Sequence, residues 1–473
     1  MSAEFNTPFE LPDGWGVFSV ETLIKDRILD KPLDGNHGGI HPKAADYVDF
    51  GVPFIMASDL ENGRVDLVGC KFISEKQAKA LRKGFSKAGD VLLSHKATIG
   101  RTAIVQDSEH DFIVLTPQVT YYRIANKKLL NNRYLKSYFD SNFFQLILGQ
   151  WAGAGSTRAY LGITGQLKLP IILPPPDVQE AIAGMVGSFD DKIELNRQTN
   201  QTLEQIAQTI FKSWFVDFEP VKAKIEAKAA GRDLERAAMC AISGKLESEL
   251  DQLSPEQRQQ LAATAALFPD ELVESELGLI PAGWKWTTFG RVTDLFDSKR
   301  IPLSKREREL RKGNFPYYGA AALMDYVDDY LFDGVHVLLA EDGSVMTPEG
   351  SPVTQYVWGR FWVNNHAHVL KGRAPVSDEH ILLFLKNTNI TPYINGAVQL
   401  KLNQKNMNSI PFLKASDAVL QGFSKAIAPL YDSLRGIFEQ QTTLATLRDT
   451  LLPKLLSGEL SVAECEHKVG SCS

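Results

Sequence analysis

Gly155–Pro170, "GSTRAYLGITGQLKLP", matches Gly396–Pro411, "GAVQLKLNQKNMNSIP", at an offset of 241 residues. The same offset carries "VGSFDDKIELNRQTNQTLEQIAQTIFKSWF" onto "IAPLYDSLRGIFEQQTTLATLRDTLLPKLL" without a gap. Upstream, "LPDGW" (Leu11–Trp15) is echoed by "IPAGW" (Ile280–Trp284), now at an offset of 269. A repeat of this length constrains the fold more than any propensity, because it demands two copies of one module. Each copy runs from a Pro-x-Gly-Trp opening, through a body of variable length, into a long helical segment.

Those segments carry the clearest periodicity. Alternate steps of four and three give Ile182, Val186, Phe189, Ile193, Asn196, Asn200, Leu203, Ala207, Ile210 and Trp214. The second copy gives Phe423, Ile427, Leu430, Leu434, Ile437, Gln441, Leu444, Arg448, Leu451 and Leu455. A sustained 3.5-residue apolar repeat predicts a coiled-coil seam, with the polar interruptions fixing register. About 40 residues at 1.5 Å each make a helix of roughly 60 Å. The bodies read as mixed α/β. "GDVLLSHKATIGRTAIV" and "GVHVLLAEDG" have β-rich runs and glycine turns. "NNRYLKSYFDSNFFQLILGQ" predicts one helix with Tyr134, Tyr138, Phe139, Phe143 and Leu146 on one side. In "LSPEQRQQL" a serine cap precedes a proline at the first helical position.

Charge is unevenly placed. Residues 219–280 hold twelve acidic against seven basic residues, so −5 of the net −6 sits there and −1 is left for the rest. A near-neutral remainder permits local basic faces. No run approaches the roughly 18 apolar residues of a membrane span, and no basic-then-apolar leader opens the chain. Four scattered cysteines spell neither a disulfide framework nor a zinc ribbon. The expected compartment is a reducing cytoplasm.

Enzymatic motifs fail one by one. "ISGKLE" lacks the first glycine and the hydroxyl of a phosphate loop. "LPPPD" lacks the amide and the aromatic that an adenine methyltransferase presents to a flipped base. No Glu-x-Lys follows "FPDELVESELG", as a metal-dependent nuclease requires. "WAGAGS" is a lone Gly-x-Gly. "HGGIH" (His37, His41) reads as a glycine-rich loop rather than a ligand cage. The chain is expected to be no enzyme and to hold no metal.

Polar clusters fit binding better. In "VNNHAHVL", strand alternation turns Asn364, His366 and His368 to one face and Asn365 to the other. Asparagine bonds adenine bidentately, and histidine donates or accepts at base edges and phosphates. These side chains are read either as a DNA face or as strand scaffold. "QLKLNQKNMNS" adds Gln399, Lys401, Asn403, Gln404 and Lys405 in a loop, and its counterpart carries Ser156, Thr157, Arg158 and Tyr160. "SHKATIGR" contributes His95, Lys96 and Arg101.

With these residues in view, the sequence resembles the DNA-specificity subunit of type I restriction–modification enzymes. The resemblance is carried by "LPDGW" and "LGLIPAGWKW", by "YYGAAALMDYVDDYLFDGVHVLLAEDG" with "FWVNNHAHVLKG", and by the two helical segments. It covers nearly the whole chain and is weakest in the first body. It implies an α/β (α+β) fold with two mixed α/β target recognition domains. Between them lie two long antiparallel coiled-coil helices, in a pseudo-two-fold internal repeat. The expected boundaries are 1–175 and 280–415 for the recognition domains, and 176–220 and 416–460 for the spacer helices. A charged helical connector occupies 221–279, and a flexible tail 461–473. The implied function is recognition of a bipartite double-stranded DNA target, directing adenine methylation or restriction by partner subunits. The partners are two methyltransferase subunits and translocating restriction subunits. S-adenosylmethionine, ATP and magnesium are expected on those partners, and none on this chain. Phe211, Trp214 and Phe215 are the expected docking surface. The alternative is a stand-alone DNA-binding regulator.

Overall fold

The 3.5-residue pattern becomes two helices, Pro176–Phe215 and Asp417–Ser457. Their first residues are 241 positions apart, the offset of the repeat. All twenty seam positions are buried or half-buried. The computed structural model describes residues 9–153, 159–396 and 400–462. These fall into two units, Met1–Gln198 with Ile437–Ser473, and Thr199–Gly436. Each unit therefore holds one body and one end of both helices.

Within each unit the helices run antiparallel, and the polar seam positions find partners. In the first unit Asn196 Nδ2 donates to Gln440 Oε1 at 2.7 Å, and Gln441 Nε2 to the Ile193 carbonyl at 3.3 Å. Arg448 Nη1 reaches Asp190 Oδ1 at 2.8 Å. In the second, Asn200 Nδ2 donates to the Leu434 carbonyl at 3.4 Å. Only one helix-to-helix register satisfies these groups, so the interruptions give up apolar contact for alignment.

The two offsets meet in a pair of matching ladders. Strand Gly16–Ser19 pairs antiparallel with Pro170–Leu173, Gly16 opposite Leu173. Strand Lys285–Thr288 pairs with Pro411–Lys414, Lys285 opposite Lys414. Gly16 and Lys285 differ by 269, Leu173 and Lys414 by 241, so the second body is 28 residues shorter between identical anchors. Each ladder leads straight into its long helix.

The first body has a six-stranded and a five-stranded sheet, and the second has two four-stranded sheets. Beneath the first sheets, Asn132–Asp140 and Asn142–Trp151 are two helices, where the sequence predicts one. Extended backbone at Ser141, whose hydroxyl caps the second helix through Phe144 N–H, resets the helical phase. Phe144 and Leu148 therefore enter the core, and Leu146 is 74% exposed. Tyr134 and Tyr138 donate to the carbonyls of Ile172 and Pro170 at 2.8 and 2.7 Å, which ties the helix to the anchoring strand. The connector holds helices Glu219–Ala229, Leu234–Ser243, Glu247–Leu250 and Pro255–Ala265. The hairpin Leu272–Ser275 and Gly278–Pro281, unforeseen in the sequence, follows. Ser254 caps the Pro255–Ala265 helix as the sequence predicts.

Candidate nucleic-acid interface

"VNNHAHVLK" is not one strand. Arg360–Val363 and Ala367–Gly372 belong to different sheets, and Asn364–His366 turns the chain from one to the other. The predicted alternation is therefore broken at the turn. Asn364 is 5% exposed, and its Oδ1 accepts His366 N–H at 2.8 Å, so it shapes the turn rather than facing a ligand. Asn365 and His366 are exposed, and His366 Nδ1 lies 2.7 Å from Asp342 Oδ1.

His368 corrects the sequence reading most sharply, because it is fully buried. Its Nδ1 lies 2.6 Å from Asp297 Oδ2 and its Nε2 lies 2.8 Å from the Leu402 carbonyl. Both partners offer oxygen atoms, so the ring is held from both nitrogens. Asp297 Oδ1 also accepts Val369 N–H at 2.9 Å, and its Oδ2 accepts Gln404 Nε2 at 2.8 Å. Arg300 closes the network. One Nη lies 3.3 Å from Asp297, and the other donates to Glu341 Oε2 at 2.9 Å and to the Ala367 carbonyl at 2.7 Å. Burial alone would raise the Asp297 and Glu341 carboxyls. For Asp297 the hydrogen bond and charge of His368 outweigh it; for Glu341 the Arg300 hydrogen bond and then the His368 charge do, so both are held below their ordinary range. Ligand atoms of Asp297, Glu341 and His368 lie within 4.8 Å of one another, close enough for a cation. The Arg300 guanidinium already bridges the two carboxylates, so the cluster is an internal ion-pair network. Neither Asp297 nor Arg300 is signalled by the sequence pattern; Asp297 lies 71 residues from His368.

The loop cluster resolves into distinct roles. Asn403 caps helix Gln404–Ser409 through Asn406 N–H, and Gln404 is bound to Asp297. Lys401 is half-exposed, with its Nζ 3.3 Å from Glu341 Oε1. Lys405 is exposed. Gln399 lies outside the described residues.

In the first unit, strands Val91–Lys96 and Thr98–Ile104 form a hairpin that turns at Ala97, held left-handed at φ 63°. Lys96 at its tip is exposed, with its ammonium 5.8 Å from the Tyr160 ring, which is 47% exposed. His95, expected on this face, is instead fully buried, with Nδ1 3.0 Å from the Leu161 carbonyl. Strand alternation points it inward, and burial pushes its pKa down to about 4. The Arg101 guanidinium donates to the Ala57 and Ser58 carbonyls at 3.4 and 3.1 Å. Ser156, Thr157 and Arg158 lie outside the described residues. A polar cleft of about 770 Å³ beside Arg101 is lined in part by charges that pair with one another, among them Lys136 between Asp140 and Asp190.

The expected docking surface is also corrected. Phe211, Trp214 and Phe215 are 2%, 1% and 8% exposed. They pack edge-on against Phe423, and Trp214 also against Phe268 of the connector. This cluster belongs to the second unit's core.

The family model described as type I restriction modification DNA specificity domain matches residues 25–205 and 282–413. The chain is 28% identical to the type I restriction enzyme HindI specificity subunit of Haemophilus influenzae, over 86% of this chain and 94% of that protein. It is 25% identical to the MjaIX specificity subunit of Methanocaldococcus jannaschii, over 90% and 91%. Among solved structures, a type I restriction–modification S subunit from M. genitalium aligns over 96% of this chain and 99% of that one. Its TM-score is 0.47 at 14% identity.

Proposed function

The chain belongs to the type I restriction–modification DNA specificity family, and from that membership we propose that each of its two modules reads one half of a split DNA target. The reading domains span 1–175 and 280–415, and the long helices set the distance between half-sites. The observation that carries this reading is the repeated tip. In both modules the residue three positions before a short helix (Ile163–Gln166 or Gln404–Ser409), Tyr160 or Lys401, bridges to a hairpin end, Lys96 or Asp342. Exposed polar side chains cluster there: Lys96 in one module, Asn365, His366, Lys401 and Lys405 in the other. Phosphate contacts from lysine position a duplex, and amide or imidazole contacts to base edges specify it.

The chain itself contributes recognition and no catalysis. Two methyltransferase subunits, carrying S-adenosylmethionine, methylate adenine in the target, and ATP- and magnesium-dependent restriction subunits complete the assembly in the cytoplasm. Among the described residues no helix is long and apolar enough to cross a membrane. A stand-alone regulator is not favoured, since the two relatives matched from end to end are both restriction-enzyme subunits.

The decisive experiment is methylome sequencing of a host expressing the chain with its methyltransferase. The expected result is a split, adenine-methylated motif; a continuous motif, or no new methylation, would count against the proposal. For the phosphate role, Lys96→Ala is expected to weaken binding of the complex to all DNA sequences alike. It should lower the slope of log affinity against log salt by about 1. An unchanged slope, measured by fluorescence anisotropy across a salt series, would remove Lys96 from the interface.

A further inference from the structure

The two tips share a buried support that the sequence repeat conceals. Ladder partners can be matched residue by residue. Leu33 and Asp34 pair with Tyr121 and Thr120, while Leu295 pairs with Leu370 and Phe296 N–H donates to the Val369 carbonyl. Leu161 N–H donates to His95 O, and Leu402 N–H to Glu341 O. Asp34 thus corresponds to Asp297, Thr120 to His368, and His95 to Glu341. Both aspartates are buried, and both hold a group three residues on: His37 Nε2 at 2.7 Å in one module, Arg300 at 3.3 Å in the other.

The carbonyl just before the short helix is captured in both modules by a buried histidine. His95 Nδ1 lies 3.0 Å from Leu161 O, and His368 Nε2 lies 2.8 Å from Leu402 O. The two histidines do not correspond. One stands at the hairpin-strand position and the other on the neighbouring strand. The same carbonyl is therefore clamped by imidazoles from different strands, which identifies the held carbonyl, rather than the histidine, as the shared requirement. Gln166 Nε2 adds a second bond to Leu161 O at 2.9 Å, and Gln404 ties the second short helix to Asp297. Arg300, through the Ala367 carbonyl, ties in the turn that carries Asn365 and His366.

We propose that these buried clamps, His95 on the Leu161 carbonyl in one module and His368, braced by Asp297, on the Leu402 carbonyl in the other, are positioning devices that set where each exposed tip meets its half-site. His95 and His368 thereby determine specificity without touching the nucleic acid. This rests on the DNA-reading function proposed above. A reading tip must be held within about 0.5 Å, and that precision comes from the shell beneath it. Both histidines are out of reach of a ligand, so they act only through the chain they hold.

The test is the methylated motif made in a host by the chain with its methyltransferase partner, for the unaltered chain, His95→Ala and His368→Ala. Each variant is expected to relax base preference at least about tenfold in one half of the motif. The two variants should relax opposite halves, with the spacing unchanged. His368→Gln, whose amide can still donate to Leu402 O, is expected to restore much of the lost preference. Gln404→Ala removes one link without emptying the core, and is expected to relax the same half as His368→Ala. It serves as the readout should either alanine variant fail to fold. Motifs unaltered in both halves, or relaxed equally in both, overturn the proposal. The absence of any split motif from the unaltered chain overturns the DNA reading itself, before any variant is compared.

Discussion

Asp297→Ala is expected to destabilise the second unit by about 3–5 kcal/mol, the range for breaking a buried ion pair from one side. The carboxylate accepts from His368, Val369 N–H and Gln404, and lies against Arg300. Its removal takes the acceptor from three donors and leaves Glu341, 3.7 Å from the His368 ring, as the one carboxylate of the network. The His368 Nδ1 and the Val369 N–H are then buried without a partner at that site. Urea denaturation followed by circular dichroism measures the change, and native-state hydrogen exchange locates it in the second unit. A loss below about 1 kcal/mol would mean the network does not hold the module. The pH sign follows from the depressed carboxyl. Asp297 stabilises the fold above its unfolded value of 3.8, and the contribution fades as pH falls through the lower folded value.

Much of the architecture is legible because it is periodic. The seam reads out of the sequence since each helix repeats one constraint every 3.5 residues, and both copies obey it. The anchoring ladders are legible as two offsets, 269 and 241, that the structure reconciles at Gly16–Leu173 and Lys285–Lys414. What periodicity cannot show is where a phase resets. Ser141 restarts a helix, and the turn Asn364–His366 moves the chain between sheets; at both places the side-chain pattern beyond the break is rotated. The polar residues are hardest to place, because a histidine reads alike whether it faces DNA or a buried carboxylate. His95 and His368 are buried, and Lys96 and His366, each within two positions of one of them, are the exposed members. The aromatic run Phe211–Phe215 misleads similarly. An unbroken aromatic face at a helix end suits a partner or a core equally, and here the connector's Phe268 covers Trp214.

Mild acid is expected to destabilise both units, most strongly through two buried histidines, His95 and His380. His380 sits 2% exposed among Phe211, Phe215, Phe412 and Phe423, with ring centroids 4.5–5.5 Å away, and its Nδ1 has no hydrogen-bond partner. Burial pushes its pKa down to about 3, and that of His95 to about 4. Both lie below the unfolded value of 6.5, so the folded state keeps these rings neutral while the unfolded chain takes up protons. Their support is complete above pH 6.5 and declines as pH falls toward the folded values. Between pH 7.5 and 4.5 each is expected to remove about 2–3 kcal/mol. His380→Phe keeps an aromatic ring in an aromatic cage and removes the His380 share of the titration from the second unit alone, while His336, also lowered by burial, keeps its own. Urea midpoints at the two pH values should therefore move closer together for the second unit of this variant, while the first unit, still carrying His95, keeps its full acid sensitivity. Equal acid losses in the variant and the unaltered chain would show that His380 is not held neutral in the fold.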